Sequence, residues 1–155
     1  MCGITGIFHA DADSVDPLSL EKMTDALSHR GPDDKGIWSF GPVGLGHRRL
    51  SIIDLSRAGR QPMATEDGRF VISYNGEIYN FVELRQELIQ QGISFTTQTD
   101  TEVLLKGFAY WGLDILDKLN GMFAFAVWDN ETSLLSLARD RYGIKPLYYT
   151  EIDGV

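Results

Sequence analysis

The chain has 155 residues and 17.4 kDa, the size of one domain, and with 43% hydrophobic and 23% charged residues it belongs among globular chains rather than disordered ones. A net charge of −8 and a pI near 4.7 leave no basic field for phosphate backbones or anionic lipid, which excludes nucleic acid and membrane surfaces as partners. No apolar run nears the ~18 residues of a membrane span, no basic-then-apolar leader opens the chain, and the single cysteine, Cys2, forbids an internal disulfide, so the expected location is cytoplasmic.

The opening MCGITGIF, apolar with Gly3 and Gly6, predicts a central strand approached closely by another backbone. Asp16 before Pro17 marks a helix start, with Val15 stapling onto Leu20; Leu20, Met23 and Leu27 carry its apolar face, and Gly31-Pro32 stop it. Residues 38–53 change to β-type runs, IWSF and VGLGHRRLSII, parted by Gly41-Pro42. A long loop, 54–68, ends in Asp67-Gly68, a hairpin signal before the strand FVISYN. Beyond Asn75-Gly76, Asn80 and Glu83 have the spacing of a capping box, and Phe81, Leu84 and Leu88 stripe a helix that ends near Gly92. ISFTT predicts a short strand. Asp100 opens a helix carrying Val103, Leu104, Gly107, Phe108 and Trp111, closed by Gly112, and Ile115, Leu116 and Leu119 continue as a shorter turn. Three β-runs follow: MFAFAVWD, LLSLAR and PLYYTEI. Runs of strands separated by blocks of helix predict α+β with largely antiparallel sheets. PLYYTEI leads into Asp153-Gly154, a hairpin signal with only Val155 after it, so the expectation is a chain cut from something longer.

Initiator methionine is normally removed before a small residue, and its loss would expose the α-amine of Cys2. A thiol of ordinary pKa ~8.5 would then sit beside an amine of ~7.7–8.0, which accepts a proton near neutral pH, so one residue supplies nucleophile and base. The other reading of a lone cysteine in an apolar strand is a small core side chain. Asn75-Gly76 offers a side-chain amide and an unhindered N–H for an oxyanion, or a type I′ hairpin turn; the helix signal at Asn80 leaves no strand directly after Gly76 and disfavours the turn. An amino-acid ligand needs a guanidinium for its carboxylate and an acid for its ammonium. Arg48 and Arg49 interrupt an apolar strand and face opposite ways, so at most one reaches a given site. Asp100 reads as an N-cap or a site acid, and Glu77 as a surface charge or a second acid. A rival enzyme would pair Cys2 with His29 or His47, although His29 falls in a helix C-terminal turn, where a cation is favoured anyway.

MCGITGIF, HRGPDD, GHRRLSIIDLS, GRQPM, YNGEIYN, TDTEVLL, GMFAFAVWD and ARDRYGIKPLYY resemble, in order, the N-terminal glutaminase domain of glutamine-hydrolysing asparagine synthetases, class II glutamine amidotransferases of the N-terminal-nucleophile hydrolase fold. The likeness runs from Cys2 to about Tyr149. It implies a four-layer α/β/β/α sandwich over residues 2–155, incomplete at its C-terminal end and without the synthetase domain, with Cys2 at the end of a central strand. It implies hydrolysis of L-glutamine, with Cys2 as nucleophile and Asn75 and Gly76 as the oxyanion pair. Arg49 would hold the α-carboxylate, with the backbone of Leu50, Ile52 and Ile53 lining the site and Glu77 and Asp100 near the α-ammonium group. The implied partner is a C-terminal synthetase domain of the same polypeptide, which receives ammonia and amidates aspartate with ATP and Mg²⁺. No glycine-rich phosphate loop opens a helix here, so no cofactor and no metal site is expected in this chain. Oligomeric state is not legible, a homodimer being one option. The alternatives are a related amidotransferase with another acceptor, or a non-catalytic domain that docks on a synthetase.

Overall fold

A computed structural model describes residues 2–51 and 56–152. Two antiparallel sheets stack face to face with helices on their outer faces. The first sheet has the order β1–β3–β2, from β1 (Gly3–Phe8), β2 (Asp34–Phe40) and β3 (Val43–Arg49). The second runs β4–β5–β6–β7, from β4 (Met63–Ala64), β5 (Phe70–Ile78), β6 (Gly121–Asp129) and β7 (Leu134–Arg139). Helix α1 (Pro17–Ala26) covers the first sheet; α2 (Phe81–Gln90), α3 (Asp100–Trp111) and the short α4 (Ile115–Lys118) cover the second. The order of layers is α/β/β/α, the sandwich expected.

Side-chain alternation builds the layers. Val43 and Leu45 from β3 meet Val71, Ala126 and Trp128 between the sheets, with Phe8 and Trp38 at the margin. The other face of the second sheet contributes Phe70, Ile72, Tyr74, Phe123, Phe125 and Val127, which pack against Leu84 and Leu88 of α2 and Val103, Leu104, Leu105 and Phe108 of α3. Between the sheets the character changes along β3 and β5. Apolar residues fill one end, while His47, Arg49, Ser73 and Asn75, all buried, make the other end polar.

The start signals hold at α1, where the Asp16 carboxylate accepts the amides of Leu18 and Ser19 and Pro17 leads the helix, but the helix ends at Ala26, short of Gly31-Pro32, and Met23 is exposed. Gly112 closes α3 at a φ of 60°, and Gly92 follows α2 at 85°. Elsewhere tertiary partners overrule the local pattern. Among the described residues β1 pairs with β3 alone, so it is an edge strand, and β3 is the central one. ISFTT is not a strand: the Thr96 and Thr97 amides donate to the Glu102 carboxylate instead of to a ladder. Asn80 does not cap α2, because its side chain donates to Lys118 O and accepts from the Asn120 amide, tying the helix start to the approach to β6. β5 runs on through Asn75-Gly76 to Ile78. Two-residue β4, too short to alternate, lies inside the expected loop. PLYYTEI is not a strand, since no strand among the described residues lies alongside it; Tyr148 and Tyr149 are exposed. The hairpin signal at Asp153-Gly154 lies outside the described residues. No helix among them is long and apolar enough to cross a membrane.

Candidate active site

The polar end of the inter-sheet layer opens into a cavity of about 100 Å³ bordered by Cys2, Arg49, Leu50, Asn75, Gly76, Glu77 and Asp100. Residues from β1, β3, β5 and the first turn of α3 thus meet at one point. Cys2 continues β1, and its Sγ is fixed against Leu50, whose amide donates to it at 3.4 Å.

The choice between the two arginines is made by strand alternation. Arg48 faces α1, where its Nε donates to Gly31 O at 3.1 Å and its Nη1 lies 3.6 Å from Asp25. Arg49 faces the cavity, buried, with Nη1 donating to Ser56 O at 2.7 Å. Gly59 lies against the guanidinium, and a Cβ there would collide with Arg49 Nη2. The loop before β4 therefore cradles this cation.

Asn75 and Gly76 lie within β5, opposite Ala124 and Phe123 of β6. Gly76 is set by close approach: a Cβ would collide with Met122 O and press on the Tyr74 ring and Phe123 Cα at 2.7 and 2.8 Å. Asp100 is the first residue of α3, but Thr99 is the cap, its Oγ1 accepting the Glu102 amide. The Asp100 carboxylate turns inward. Its Oδ2 accepts the Tyr74 hydroxyl at 2.7 Å and the Ile78 amide at 3.1 Å. Burial raises the Asp100 pKa above the ordinary carboxylate value, opposed by those two donors. Burial, and then the Asp100 charge, raise Tyr74 well above the ordinary phenol value, so it remains a donor.

Two cations, Arg49 and Lys145, and two acids, Glu77 and Asp100, surround a thiol and a side-chain amide. Such walls suit a small zwitterion. Neither His29 nor His47 borders the cavity. His29 is exposed. His47 is buried, with Nε2 donating to Tyr74 O at 3.0 Å; burial, then the Arg49 charge, lower its pKa to about 4 against that hydrogen bond, and it is neutral at pH 7. A Cys/His pair is not assembled.

Ile52 and Ile53 lie outside the described residues. The other site residues that the resemblance implied, Cys2, Arg49, Leu50, Asn75, Gly76, Glu77 and Asp100, all border one cavity, whereas Arg48, His29 and His47 do not. Tyr74, Gly59, Met122 and Lys145 border it too and had been given no role, although each falls inside a block that carries the resemblance: YNGEIYN, GRQPM, GMFAFAVWD and ARDRYGIKPLYY. A larger and more open groove, about 430 Å³, lies beside Thr65, Lys106 and Tyr110. Its lysine is engaged with Glu66, Glu102 and the Ser94 carbonyl, and no cysteine borders it. Among the described residues no group of three His, Cys, Asp or Glu side chains is placed to hold a metal ion.

The family described as glutamine amidotransferase domain matches residues 1–155. Asparagine synthetase [glutamine-hydrolyzing] 3 of Bacillus subtilis (strain 168) is 47% identical over 154 residues, covering 97% of this chain and 25% of that one. Asparagine synthetase [glutamine-hydrolyzing] 1 of the same organism is 47% identical over 156 residues, covering 99% and 24%. The chain thus spans about a quarter of the length of these relatives. Among solved structures, glutamine phosphoribosylpyrophosphate amidotransferase from B. subtilis, complexed with ADP and GMP, superposes with a TM-score of 0.71 at 22% identity, covering 90% of this chain and 37% of that one. That likeness establishes the fold.

Proposed function

Because this chain belongs to the glutamine amidotransferase domain family, we propose that its cavity hydrolyses L-glutamine to L-glutamate and ammonia through a γ-glutamyl thioester on Cys2. The observation that carries the reading is the meeting of Cys2, Arg49, Asn75, Gly76 and Asp100 around one small cavity. With Met1 removed, the α-amine of Cys2 takes the thiol proton as Sγ attacks the side-chain carboxamide carbon. The carbonyl oxygen becomes an oxyanion, which the Asn75 amide group and the Gly76 N–H stabilise. The C–N bond then breaks, and the protonated amine returns its proton to the departing ammonia. Water attacks the thioester, the C–S bond breaks, and glutamate leaves with the thiol restored.

Arg49 holds the substrate's α-carboxylate, a pairing that a preset guanidinium makes directional. Asp100 and Glu77 receive its α-ammonium group. Leu50 completes this part of the wall. The ammonia acceptor is aspartate, amidated with ATP and Mg²⁺ in a synthetase region of the same polypeptide; this portion needs no cofactor of its own. The identity to two glutamine-hydrolysing asparagine synthetases supports that assignment.

Intact mass spectrometry paired with an ammonia-release assay tests the mechanism. The expected result is a chain lacking Met1 that releases ammonia from glutamine, and a Cys2→Ala variant that binds glutamine but releases none. Turnover by Cys2→Ala, or by a chain that retains Met1, would remove the N-terminal cysteine from the mechanism.

A further inference from the structure

We infer that Tyr74 is a positioning residue joining the two halves of this cavity, its hydroxyl fixing the Asp100 carboxylate and its ring fixing the Gly76 backbone. The inference rests on the glutaminase reading. Along β5 successive side chains face opposite ways. Ser73 points to the first sheet, where its Oγ donates to Gly46 O, while Tyr74 points to the helix layer and joins its core. Asn75 therefore faces the sheet that carries Cys2, and Asp100 stands on the other side of β5. Tyr74 touches elements of both functions. Its hydroxyl is 2.7 Å from Asp100 Oδ2, and its ring lies against the Cα of Gly76, where a Cβ would come within 2.7 Å.

The residue is itself held at both of its backbone polar atoms. Its amide donates to Gln61 Oε1 at 2.7 Å and its carbonyl accepts from His47 Nε2 at 3.0 Å. Gln61 in turn donates to Thr101 Oγ1, which ties the same post back to α3. His47 and Gln61, two buried polar side chains the chemistry does not use, thus acquire a purpose. The hydroxyl is informative in its own right. Tyr74 is 2% exposed, and a phenylalanine would fill the same apolar space without desolvating an O–H, so the hydroxyl is retained for its partner.

Tyr74→Phe in the Met1-processed chain removes that oxygen and keeps the ring. The KM for L-glutamine is expected to rise about tenfold, the scale of one hydrogen bond to a charged group, with kcat changed less than about threefold. The acid limb of kcat/KM moves to higher pH, because the ionised carboxylate loses a donor. The other titratable groups at the cavity, the thiol and α-amine of Cys2, Arg49, Glu77 and Lys145, and Glu102 in the same first turn of α3, are the same in both proteins, so the displacement reports Asp100. Tyr74→Leu also removes the ring from Gly76 and is expected to lower kcat as well; if it does not fold, the phenylalanine variant alone decides. A Tyr74→Phe variant with unchanged KM and an unchanged acid limb, whether or not its melting temperature falls, makes Tyr74 a core residue and overturns the inference while leaving the glutaminase reading intact. Absence of ammonia release from the processed wild-type chain overturns both.

Discussion

Asp100 and Glu102 are two buried carboxylates two residues apart at the start of one helix, and their surroundings drive them in opposite directions. Burial pushes Glu102 up, but donors overrule it. The amides of Thr96 and Thr97 at 2.9 and 2.7 Å, the Thr97 hydroxyl at 2.7 Å and the Lys106 ammonium at 3.0 Å hold it at about 2. Asp100 has the Tyr74 hydroxyl and the Ile78 amide, and no ion pair among the described residues, so burial prevails and its pKa rises. A fully satisfied buried acid organises the chain around it. A buried acid left short of positive charge is a site prepared for a cationic group, at a cost to the empty fold.

The largest effect expected from this contrast is on turnover. On the glutaminase reading proposed above, Asp100→Asn removes the charge offered to the α-ammonium group and should lower kcat/KM for glutamine by about 10- to 100-fold. Its melting temperature should not fall, because both Oδ2 bonds can be accepted by an amide oxygen and a buried charge has gone. A variant that loses stability as well as activity would place Asp100 with Glu102 as a structural acid. Glu102→Gln inverts the pattern: stability falls by about 1–3 kcal/mol while kcat/KM of the folded protein stays within about threefold. Urea midpoints and steady-state kinetics on the same samples check both.

The pH dependence sharpens the pair further. Glu102 has a folded pKa of about 2, below its ordinary 4.5, so its stabilisation is complete above pH 4.5 and is lost as pH falls toward 2. Wild type and Glu102→Gln should therefore converge in stability across that window. Asp100 has the opposite sign. Its pKa is raised, so its unfavourable contribution is present above the folded pKa and is relieved as pH falls through it. Any stability gained by Asp100→Asn should shrink on acidification. Parallel curves for the two variants would show that the two carboxylates do not differ.

This stretch also shows what could be read from sequence and what could not. Helix α3 was legible because its start and stop are local: acids in the first turn, an apolar stripe and a glycine that reaches a φ of 60°. ISFTT was misread because its amides are claimed by a carboxylate five or six residues further on, which no alternation of side chains records. The edge position of β1 depends on which strands lie beside it, a matter of topology. At the site, residue chemistry alone left Cys2, Asn75 and Asp100 divided between structural and functional readings, and strand alternation could say only that Arg48 and Arg49 diverge. The resemblance implied Arg49, and of the two arginines only Arg49 borders the cavity. Tyr74 and Gly59 escaped because they act through a neighbour, by a hydroxyl on Asp100 and by absence of a side chain beside Arg49. Such roles become visible only when distances are known.

Thr99, which lies between the network of Glu102 and the cavity of Asp100, supplies the smallest and finest test. Its Oγ1 accepts the Glu102 amide at 3.1 Å and lies 2.8 Å from Thr97 Oγ1, so its bonds belong to the structural side, although the residue also borders the cavity. Thr99→Ala should cost about 1 kcal/mol, the worth of one N-cap, and Thr99→Ser should recover most of it. Urea midpoints measure the loss. The KM for glutamine should move far less than in Tyr74→Phe, since among the described residues no hydrogen bond joins the side chains of Thr99 and Asp100, and the α3 start is held independently by Glu102. A KM change as large as that of Tyr74→Phe would mean that the two carboxylates share one network, and that the division between an acid which holds the fold and an acid which awaits a ligand is drawn in the wrong place.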